Sequence, residues 1–230
     1  NPTLKFKLNN DSELELFSSD TNSRIVAFFD NELVIDNEIV NHGFTPKLPS
    51  YINNVELGYL RAWAFTNSGC SKELLIPYVQ GELVLNSDFL PRNDPHAMSI
   101  YNVFIDRFSD GDLSNQPILL DSVLPQAQYL GGDVSGLINH LKNGYFDSLY
   151  INTIWVSPLV ENAYGSWGEW KSPYSKFSSY HGYWPVSFTK LNPAFCSAEE
   201  LHQLVDIVHS KEKNILLDVV ANHIHKDHLF

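Results

Sequence analysis

The sequence predicts two domains of different class: an Ig-like β-sandwich over residues 1–93, then the first part of an α/β, TIM-type (β/α)8 barrel over residues 94–230. Three observations predict this division. Short apolar segments recur between turn-forming clusters in the first part, and strands alternate with helices in the second part. Two prolines in the polar stretch 91–95 interrupt both patterns at the junction.

The first part has the spacing of short strands that is typical of an Ig-like sandwich. Strands are predicted at Leu4–Leu8, Leu14–Phe17, Arg24–Phe29, Leu33–Ile35, Gly58–Phe65, Glu73–Tyr78 and Leu83–Leu85. Residues 59–65 alternate in polarity, as a strand with one buried face does. No group of residues in this part suggests a catalytic site, so the sequence favours a structural or accessory domain.

The second part predicts three parallel strands and two helices, which is an incomplete barrel. The strands are predicted at Ile100–Ile105, Tyr150–Val156 and Ile215–Ala221. One helix has Asp133 as its N-cap, and the other opens with the capping box of Ser197 and Glu200. The first helix carries an apolar stripe at Val134, Leu137, Ile138 and Leu141. Strands that alternate with helices imply right-handed crossovers and a parallel sheet.

The third predicted strand carries an ionisable side chain, Asp218, inside an almost wholly apolar run. Such a run is typical of a parallel strand buried on both faces. A buried carboxylate is costly unless it is hydrogen-bonded or paired. Asn222 and His223 follow where the strand would emerge, which is the face that carries active sites in α/β barrels. A core acid followed by an ordinary turn explains the stretch equally well.

Composition argues against two classes of partner. The formal net charge is −12, whereas nucleic acids and anionic membranes require clustered Lys and Arg. No apolar run approaches the roughly 18 residues that a membrane helix needs. The two cysteines, Cys70 and Cys196, lie far apart, and we predict free buried thiols, with a bridge between them as the alternative.

Two loops that follow predicted strands contain candidate functional residues. Asp110, Asp112 and Asn115 place hard oxygen ligands at short spacing around a glycine, which suits calcium, although an acidic surface turn has the same composition. In the second loop, Tyr183 and Trp184 are adjacent aromatic residues after a glycine. They suit either a ligand platform or a loop that is anchored by its own aromatic packing.

Four motifs together resemble the α-amylase family of glycoside hydrolases and transglycosylases, glycoside hydrolase family 13. The resemblance is to members of the neopullulanase, cyclomaltodextrinase and cyclodextrin glycosyltransferase type. The motifs are Asp-Arg-Phe-Ser-Asp-Gly-Asp at 106–112, Gly-Gly-Asp at 131–133, Tyr-His-Gly-Tyr-Trp-Pro at 180–185 and Asp-Val-Val-Ala-Asn-His at 218–223. They occur in the family's order, and the resemblance covers about residue 99 to the end. It implies a retaining enzyme that acts on starch-type α-glucosidic bonds.

The resemblance also implies roles for individual residues. It implies a structural calcium site whose ligands are Asp110, Asp112, Asn115, the Gly131 carbonyl and Asp133, with Gln116 where some relatives have another Asn. It implies that Asn222 belongs to a second calcium site. Tyr183 would stack on the sugar at the cleavage subsite with Trp184 beside it, and Asp218 and His223 would contact the same sugar. The same long loop offers Tyr164, Trp167, Trp170 and Tyr174 as outer contacts.

The resemblance implies no catalytic residue in this chain. The family's nucleophilic Asp, its Glu acid/base and its stabilising Asp follow later strands, and none matches a position here. We therefore expect the N-terminal portion of a longer enzyme, inactive and poorly stable by itself, with the catalytic carboxylates downstream. The alternatives are a non-catalytic carbohydrate- or partner-binding protein with an amylase-like barrel, and an unrelated barrel enzyme.

Several properties stay open at this level. The sequence does not distinguish α-1,4 from α-1,6 bonds, or hydrolysis from transfer, and it does not reveal the oligomeric state. The chain begins with Asn1-Pro2 rather than Met. Together with calcium, this start favours an extracytoplasmic location, whether periplasmic, cell-surface or secreted.

Overall fold

A computed structural model of the chain describes residues 1–39, 43–172 and 174–228. The chain divides into two compact units, Asn1–Pro91 and Arg92–Phe230. Within the described ranges, no helix has the length and apolar character needed to cross a membrane. Both cysteines are free, as predicted; Cys196 is buried, whereas Cys70 is only partly buried.

The first unit consists of antiparallel strands. They are β1 Leu4–Leu8, β2 Leu14–Ser18, β3 Ser23–Phe29, β4 Glu32–Ile39, β5 Gly43–Phe44, β6 Leu57–Thr66, β7 Gly69–Cys70, β8 Leu74–Val79 and β9 Glu82–Leu83. Strands β1, β2 and β5 form one sheet in that order. The other sheet has the order β4-β3-β6-β8-β9, and β7 pairs with β6.

Both sheets of the first unit contribute to one apolar core. Leu16 of β2, Ile25 of β3 and Leu60 of β6 are fully buried in it, as the alternation of apolar and polar residues requires. Each predicted strand overlaps an observed one. The strands that were not predicted, β5 and β7, are two residues long, which is too short to show alternation.

The second unit has a parallel sheet with the order β10-β11-β14. Its strands are β10 Ile100–Val103, β11 Thr153–Val156 and β14 Asn214–Leu217. Its helices are α1 Ile105–Phe108, α2 Val134–Lys142, α3 Tyr145–Ser148 and α4 Ala198–Ser210, and a hairpin consists of β12 Trp167–Lys171 and β13 Tyr174–Phe177. Parallel strands that alternate with helices agree with the first part of a TIM-type barrel, whose complete form has eight strands.

The helix caps are confirmed. The Asp133 side chain accepts a hydrogen bond from the Gly136 N–H at the start of α2. Before α4, Ser197 and Glu200 form both hydrogen bonds of the capping box. Apolar residues of both helices belong to one core together with Ile154 and Val156 of β11, and Leu137 and Leu204 are fully buried in it. Local signals therefore define both longer helices.

The third strand differs from its prediction. It ends at Leu217, so Asp218 lies just beyond the strand and is only partly buried. Leu216 and Leu217 are 36% and 46% exposed, and Val219 is 69% exposed, so the run is not buried on both faces. The reason is position: β14 is at the edge of the described sheet, where its outer side has no neighbouring strand.

The other two barrel strands are also shorter than predicted. Strand β10 ends at Val103 because the chain turns into α1 at Ile105, and β11 begins only at Thr153. The predicted long aromatic loop contains the β12–β13 hairpin. Gly165 and Gly168 adopt positive φ angles before and within it, and they interrupt the alternation that would have predicted a strand.

Candidate functional site

The candidate site lies at the carboxyl ends of the parallel strands. The Asp218 N–H donates to the Val156 carbonyl at 3.0 Å, which continues the pairing of β14 with β11 by one residue. This bond places Asp218 at the edge of the sheet where α/β barrels carry their active sites. The Asp218 carboxylate then meets the loop that contains Tyr183.

Tyr183 is the centre of this cluster because three of its polar groups bond to three other side chains. Its hydroxyl donates to Asp218 Oδ2 at 2.7 Å, and its carbonyl accepts from His223 Nε2 at 2.8 Å. Its backbone N–H donates to His181 Nδ1 at 2.9 Å. The structure thus brings Tyr183, Asp218 and His223 together, although they are 35 and 40 residues apart along the chain.

The surroundings fix the protonation of two members of the cluster. Burial, followed by the hydrogen bond to Asp218 and the charge of Asp218, raises the pKa of Tyr183 to about 12. Burial, followed by the proximity of His223, lowers the pKa of His181 to about 4. At neutral pH, Tyr183 therefore remains a donor and His181 remains a neutral acceptor.

Gly182 permits the tight path of the loop between His181 and Tyr183. It has a φ of +81°, and a Cβ atom at this position would lie 2.5 Å from the Pro158 carbonyl oxygen. Both the backbone conformation and the close approach therefore require glycine. The sequence motif contains this glycine, but its contact with Pro158 could not be read from the sequence.

Trp184 is packed into the same loop. Its N–H donates to Asn162 Oδ1 at 2.6 Å, and its carbonyl accepts from the Ala163 N–H at 3.1 Å. Its ring meets the His181 ring edge-on, with centroids 4.4 Å apart. Trp184 thus supports the cluster from the side, and it is only partly buried.

The other aromatic residues of the long loop divide into two groups. Trp167 packs against His225 with ring centroids 4.5 Å apart, and the Lys226 ammonium lies 4.8 Å from its ring. Tyr164, Trp170 and Tyr174 are all more than half exposed. Exposed aromatic rings suit outer sugar contacts, whereas Trp167 already packs against other side chains.

A cavity of about 480 Å³ lies beside the cluster. It is bounded mainly by apolar residues of the segment that follows β14. Its lining consists of Phe188, Val219, Val220, Ala221, Asn222, His223 and Ile224. His223 belongs to both the cavity lining and the Tyr183 cluster, so the two features are continuous.

Asp133 holds the predicted calcium loop together. Its Oδ1 accepts from the backbone N–H groups of Gly111 at 3.0 Å and Gly136 at 2.7 Å. Its Oδ2 accepts from the Asp112 N–H at 2.9 Å and from Asn115 Nδ2 at 3.0 Å. One fully buried carboxylate therefore caps α2 and fixes the 111–115 segment.

Other side chains of the same loop bond to one another. Asp112 accepts from the Ser114 N–H at 2.9 Å and from its hydroxyl at 2.6 Å, and these bonds hold the pKa of Asp112 below its usual value. Asp110 accepts from Gln116 Nε2 at 2.8 Å. In the described ranges, no three acidic, His or Cys side chains converge closely enough to hold a metal ion. An ion here would therefore depend on amide and carbonyl oxygens as well.

The donor chemistry of the loop nevertheless fits calcium. The Asn115 Oδ1 atom is buried and has no hydrogen-bond partner, which is unusual for a native polar atom. Calcium prefers carboxylate, amide and carbonyl oxygens, which this loop and Gly131 carry. Asn222 lies elsewhere, after β14, with its Nδ2 3.4 Å from His223 Nδ1.

Sequence reasoning assigned no individual role to Asp106 and Arg107. Asp106 is 1% exposed and accepts from the Leu130 N–H at 3.0 Å, and Arg107 Nε lies 3.1 Å from its carboxylate. Burial raises the pKa of Asp106 to about 6, against the Leu130 hydrogen bond and the charge of Arg107. The Arg107 guanidinium lies 3.9 Å from the Tyr180 ring centroid, so it connects this buried acid to the Tyr183 loop. The sequence signal that could have identified Asp106 is an acidic residue directly after a predicted apolar strand.

The fold and site define the second unit as an α/β-barrel domain with a polar and aromatic site at its strand ends. Residues 102–230 match the family described as "Alpha amylase, catalytic domain". The cyclomaltodextrin glucanotransferase of Geobacillus stearothermophilus is 35% identical over 127 residues, which are 54% of this chain and 17% of that protein. The enzyme of that name from Bacillus licheniformis is 37% identical over 129 residues, with the same two shares.

A solved structure, gamma-CGTase from alkalophilic Bacillus clarkii, has 34% sequence identity and a TM-score of 0.48, and the match covers 56% of this chain and 19% of that chain. On the family match, this chain belongs to the alpha-amylase family. The predicted family is therefore confirmed. The chain spans 17% of the length of the curated relatives described above.

Proposed function

We propose that this chain forms one side of the cleavage subsite of a retaining α-glucan hydrolase or transglycosylase. The observation that carries the proposal is the convergence of Tyr183, Asp218 and His223 at the strand ends. In this proposal, the Tyr183 ring stacks on a glucose unit, and Asp218 and His223 contact the same sugar. The name cyclomaltodextrin glucanotransferase, which the relatives carry, supports an α-glucan as the ligand.

For the whole protein we propose double displacement through a glycosyl-enzyme intermediate. This mechanism needs two carboxyl groups about 5 Å apart on either side of the scissile bond. Asp106 is unsuited because it is buried and already bonded to Leu130 and Arg107. Asp218 is engaged by the Tyr183 hydroxyl. We therefore assign the nucleophile and the acid/base to barrel strands other than the three described here.

It follows that the 230-residue chain binds α-glucan without turning it over. Incubation of the purified chain with starch, pullulan and cyclodextrin should release no new reducing ends. Measured turnover of any of the three would contradict this assignment.

Replacing Tyr183 by alanine should lower the affinity of the chain for maltoheptaose about thirtyfold. A central aromatic contact of this kind is worth about 2 kcal/mol, because its ring area is lost on truncation. Tyr183→Phe keeps the ring and loses only the hydroxyl bond to Asp218, so its affinity should fall less. Isothermal titration calorimetry measures all three proteins.

The matched control is Tyr150→Ala, which removes a 90% exposed tyrosine that lies before β11 and outside the long loop. Cellohexaose, a β-linked glucan, serves as the control sugar and should not bind. The proposal fails if Tyr183→Ala binds maltoheptaose as the parent does, or if cellohexaose binds equally well.

We also propose that Asp110, Asp112, Asn115, the Gly131 carbonyl and Asp133 hold a structural calcium ion. For this, the Asp110 and Asp112 carboxylates must turn from their present hydrogen-bond partners, Gln116 and Ser114, toward the ion. The unpartnered Asn115 Oδ1 and the oxygen-rich donor set support this proposal. The ion would neutralise the loop carboxylates and fix the loop ahead of α2. A second calcium site at Asn222 is proposed on the family motif alone.

Asp110→Ala should weaken calcium binding at least about tenfold, because one charged ligand is lost from the set. Calorimetric titration of the metal-stripped chain with calcium chloride measures this, and the thermal midpoint provides a second readout. The exposed Asp121→Ala is the matched control and should titrate like the parent. Equal calcium binding by Asp110→Ala would remove this metal assignment.

Two further proposals concern the chain as a whole. We propose that residues 1–93 form an Ig-like accessory domain, which the two antiparallel sheets with one shared core support. We also propose an extracytoplasmic location, which the proposed calcium requirement supports. Fractionation of the source cells, followed by immunodetection, would test the location.

A further inference from the structure

We infer that His181 is a positioning residue: as a neutral imidazole it fixes Tyr183 for the sugar, and when protonated it releases Tyr183. The consequence for sugar binding rests on the proposed function of Tyr183. The contact itself rests on the geometry of the loop alone. The two parts can therefore fail separately.

The contact is a short turn that His181 closes with its own side chain. The Tyr183 N–H donates to His181 Nδ1 at 2.9 Å, two residues back along the chain. The two rings lie nearly parallel, with an interplanar angle of 21° and centroids 6.0 Å apart. Gly182 between them supplies the positive φ that brings the donor onto the acceptor.

His181 fixes Tyr183 differently from the other two partners. Asp218 and His223, which bond the hydroxyl and the carbonyl, both lie in the segment after β14. His181 lies in the loop of Tyr183 itself and holds the backbone from within. His181 therefore fixes the backbone of Tyr183 without any contribution from the segment after β14.

The contact depends on the protonation state of the imidazole. Nδ1 accepts the Tyr183 N–H only while it carries no proton, so the neutral ring has its proton on Nε2. In the imidazolium form both nitrogens are donors, and the Tyr183 N–H would face another N–H. Protonation therefore abolishes the bond and places two donors against each other.

The groups around His181 keep it neutral at ordinary pH. The Tyr180 and Trp184 rings contact it edge-on, with centroids 5.4 Å and 4.4 Å away. The Arg107 guanidinium lies over the Tyr180 ring. His223 is close enough to disfavour a positive charge on His181. Burial, with His223 as the lesser cause, lowers the pKa of His181 to about 4. Release is thus expected only in acid, when the full imidazolium forms.

Two substitutions separate the acceptor from the bulk of the ring. His181→Asn keeps an acceptor, since an asparagine oxygen can bond the N–H two residues on, and it does not titrate in this range. His181→Phe keeps a ring of similar size and removes the acceptor. If the acceptor matters, asparagine should rescue the contact and phenylalanine should not.

The test is NMR of the 230-residue chain at pH 7, which follows hydrogen exchange of the Tyr183 amide. Loss of one hydrogen bond should speed the exchange about tenfold in His181→Phe and leave it unchanged in His181→Asn. Between pH 6 and pH 3, exchange in the parent, corrected for its intrinsic pH dependence, should accelerate with a midpoint near pH 4 as the His181 imidazole ¹⁵N signals titrate. His181→Asn should show no such transition.

Maltoheptaose affinity provides the functional readout. It should be about tenfold weaker for His181→Phe and within about twofold of the parent for His181→Asn. Unchanged Tyr183 exchange in His181→Phe, or asparagine behaving like phenylalanine, would overturn the inference. If the exchange results are as expected but the parent binds no maltoheptaose, the positioning contact is supported and the proposed function fails.

Discussion

Asp133→Ala is expected to destabilise residues 92–230 by about 4 kcal/mol. The carboxylate is fully buried and accepts four hydrogen bonds, three of them from the backbone N–H groups of Gly111, Asp112 and Gly136. Each buried donor that loses its partner costs about 1–3 kcal/mol, and such costs do not simply add. The cap of α2 is lost in the same substitution.

Urea unfolding followed by tryptophan fluorescence measures this effect, since Trp155, Trp167, Trp170 and Trp184 all lie after residue 92. Asp121→Ala removes an exposed carboxylate that precedes the same helix, and it should change the stability by less than about 0.5 kcal/mol. Asp133→Asn keeps one acceptor oxygen, so its loss of stability should lie between those of Asp133→Ala and Asp121→Ala. A loss of less than about 1 kcal/mol in Asp133→Ala would show that the loop does not depend on this carboxylate.

Gly182→Ala is expected to cost about 3 kcal/mol. Its backbone has a φ of +81°, and the added Cβ would lie 2.5 Å from the Pro158 carbonyl oxygen. Strain and overlap therefore combine, and the loop must shift to relieve them. Because Tyr183 is the next residue, maltoheptaose binding should fall together with the stability.

Gly144→Ala separates the two causes. Gly144 has a φ of +79°, but its nearest atom to an added Cβ, Asp147 Oδ2, is 3.6 Å away, which is ordinary contact. This variant should cost only about 1 kcal/mol, from the backbone conformation alone. Equal losses in the two variants, measured by urea unfolding, would show that the approach of Pro158 carries no penalty.

The parts of the fold that depend on local signals could be predicted from the sequence. Asp133 and Ser197 begin their helices as predicted because a cap needs only a side chain and the next three backbone groups. The extent of β14 was predicted wrongly. Whether Leu216 and Leu217 are covered depends on which strand lies beside them, and the sequence of one strand does not contain that information.

The candidate site was predictable in its location but not in its contacts. Residues that follow parallel strands meet at one edge, so the meeting of Asp218 with Tyr183 follows from the fold class. Two hydrogen bonds depend on loop conformation: the one from the Tyr183 N–H to His181 and the one from the Leu130 N–H to Asp106. Loop conformation is set by contacts such as the one between Gly182 and Pro158, which are distant in sequence.

The bonding of Tyr183 limits what it can recognise. Its two hydrogen-bond donors, the backbone N–H and the phenol, are both used inside the protein. What it can offer a ligand is mainly the flat carbon surface of its ring. Such a surface packs against a sugar ring whichever hydroxyl of that sugar forms the glycosidic bond. Discrimination between one glycosidic linkage and another must then fall to other side chains, and Tyr183 can stay unchanged while that preference diverges among relatives.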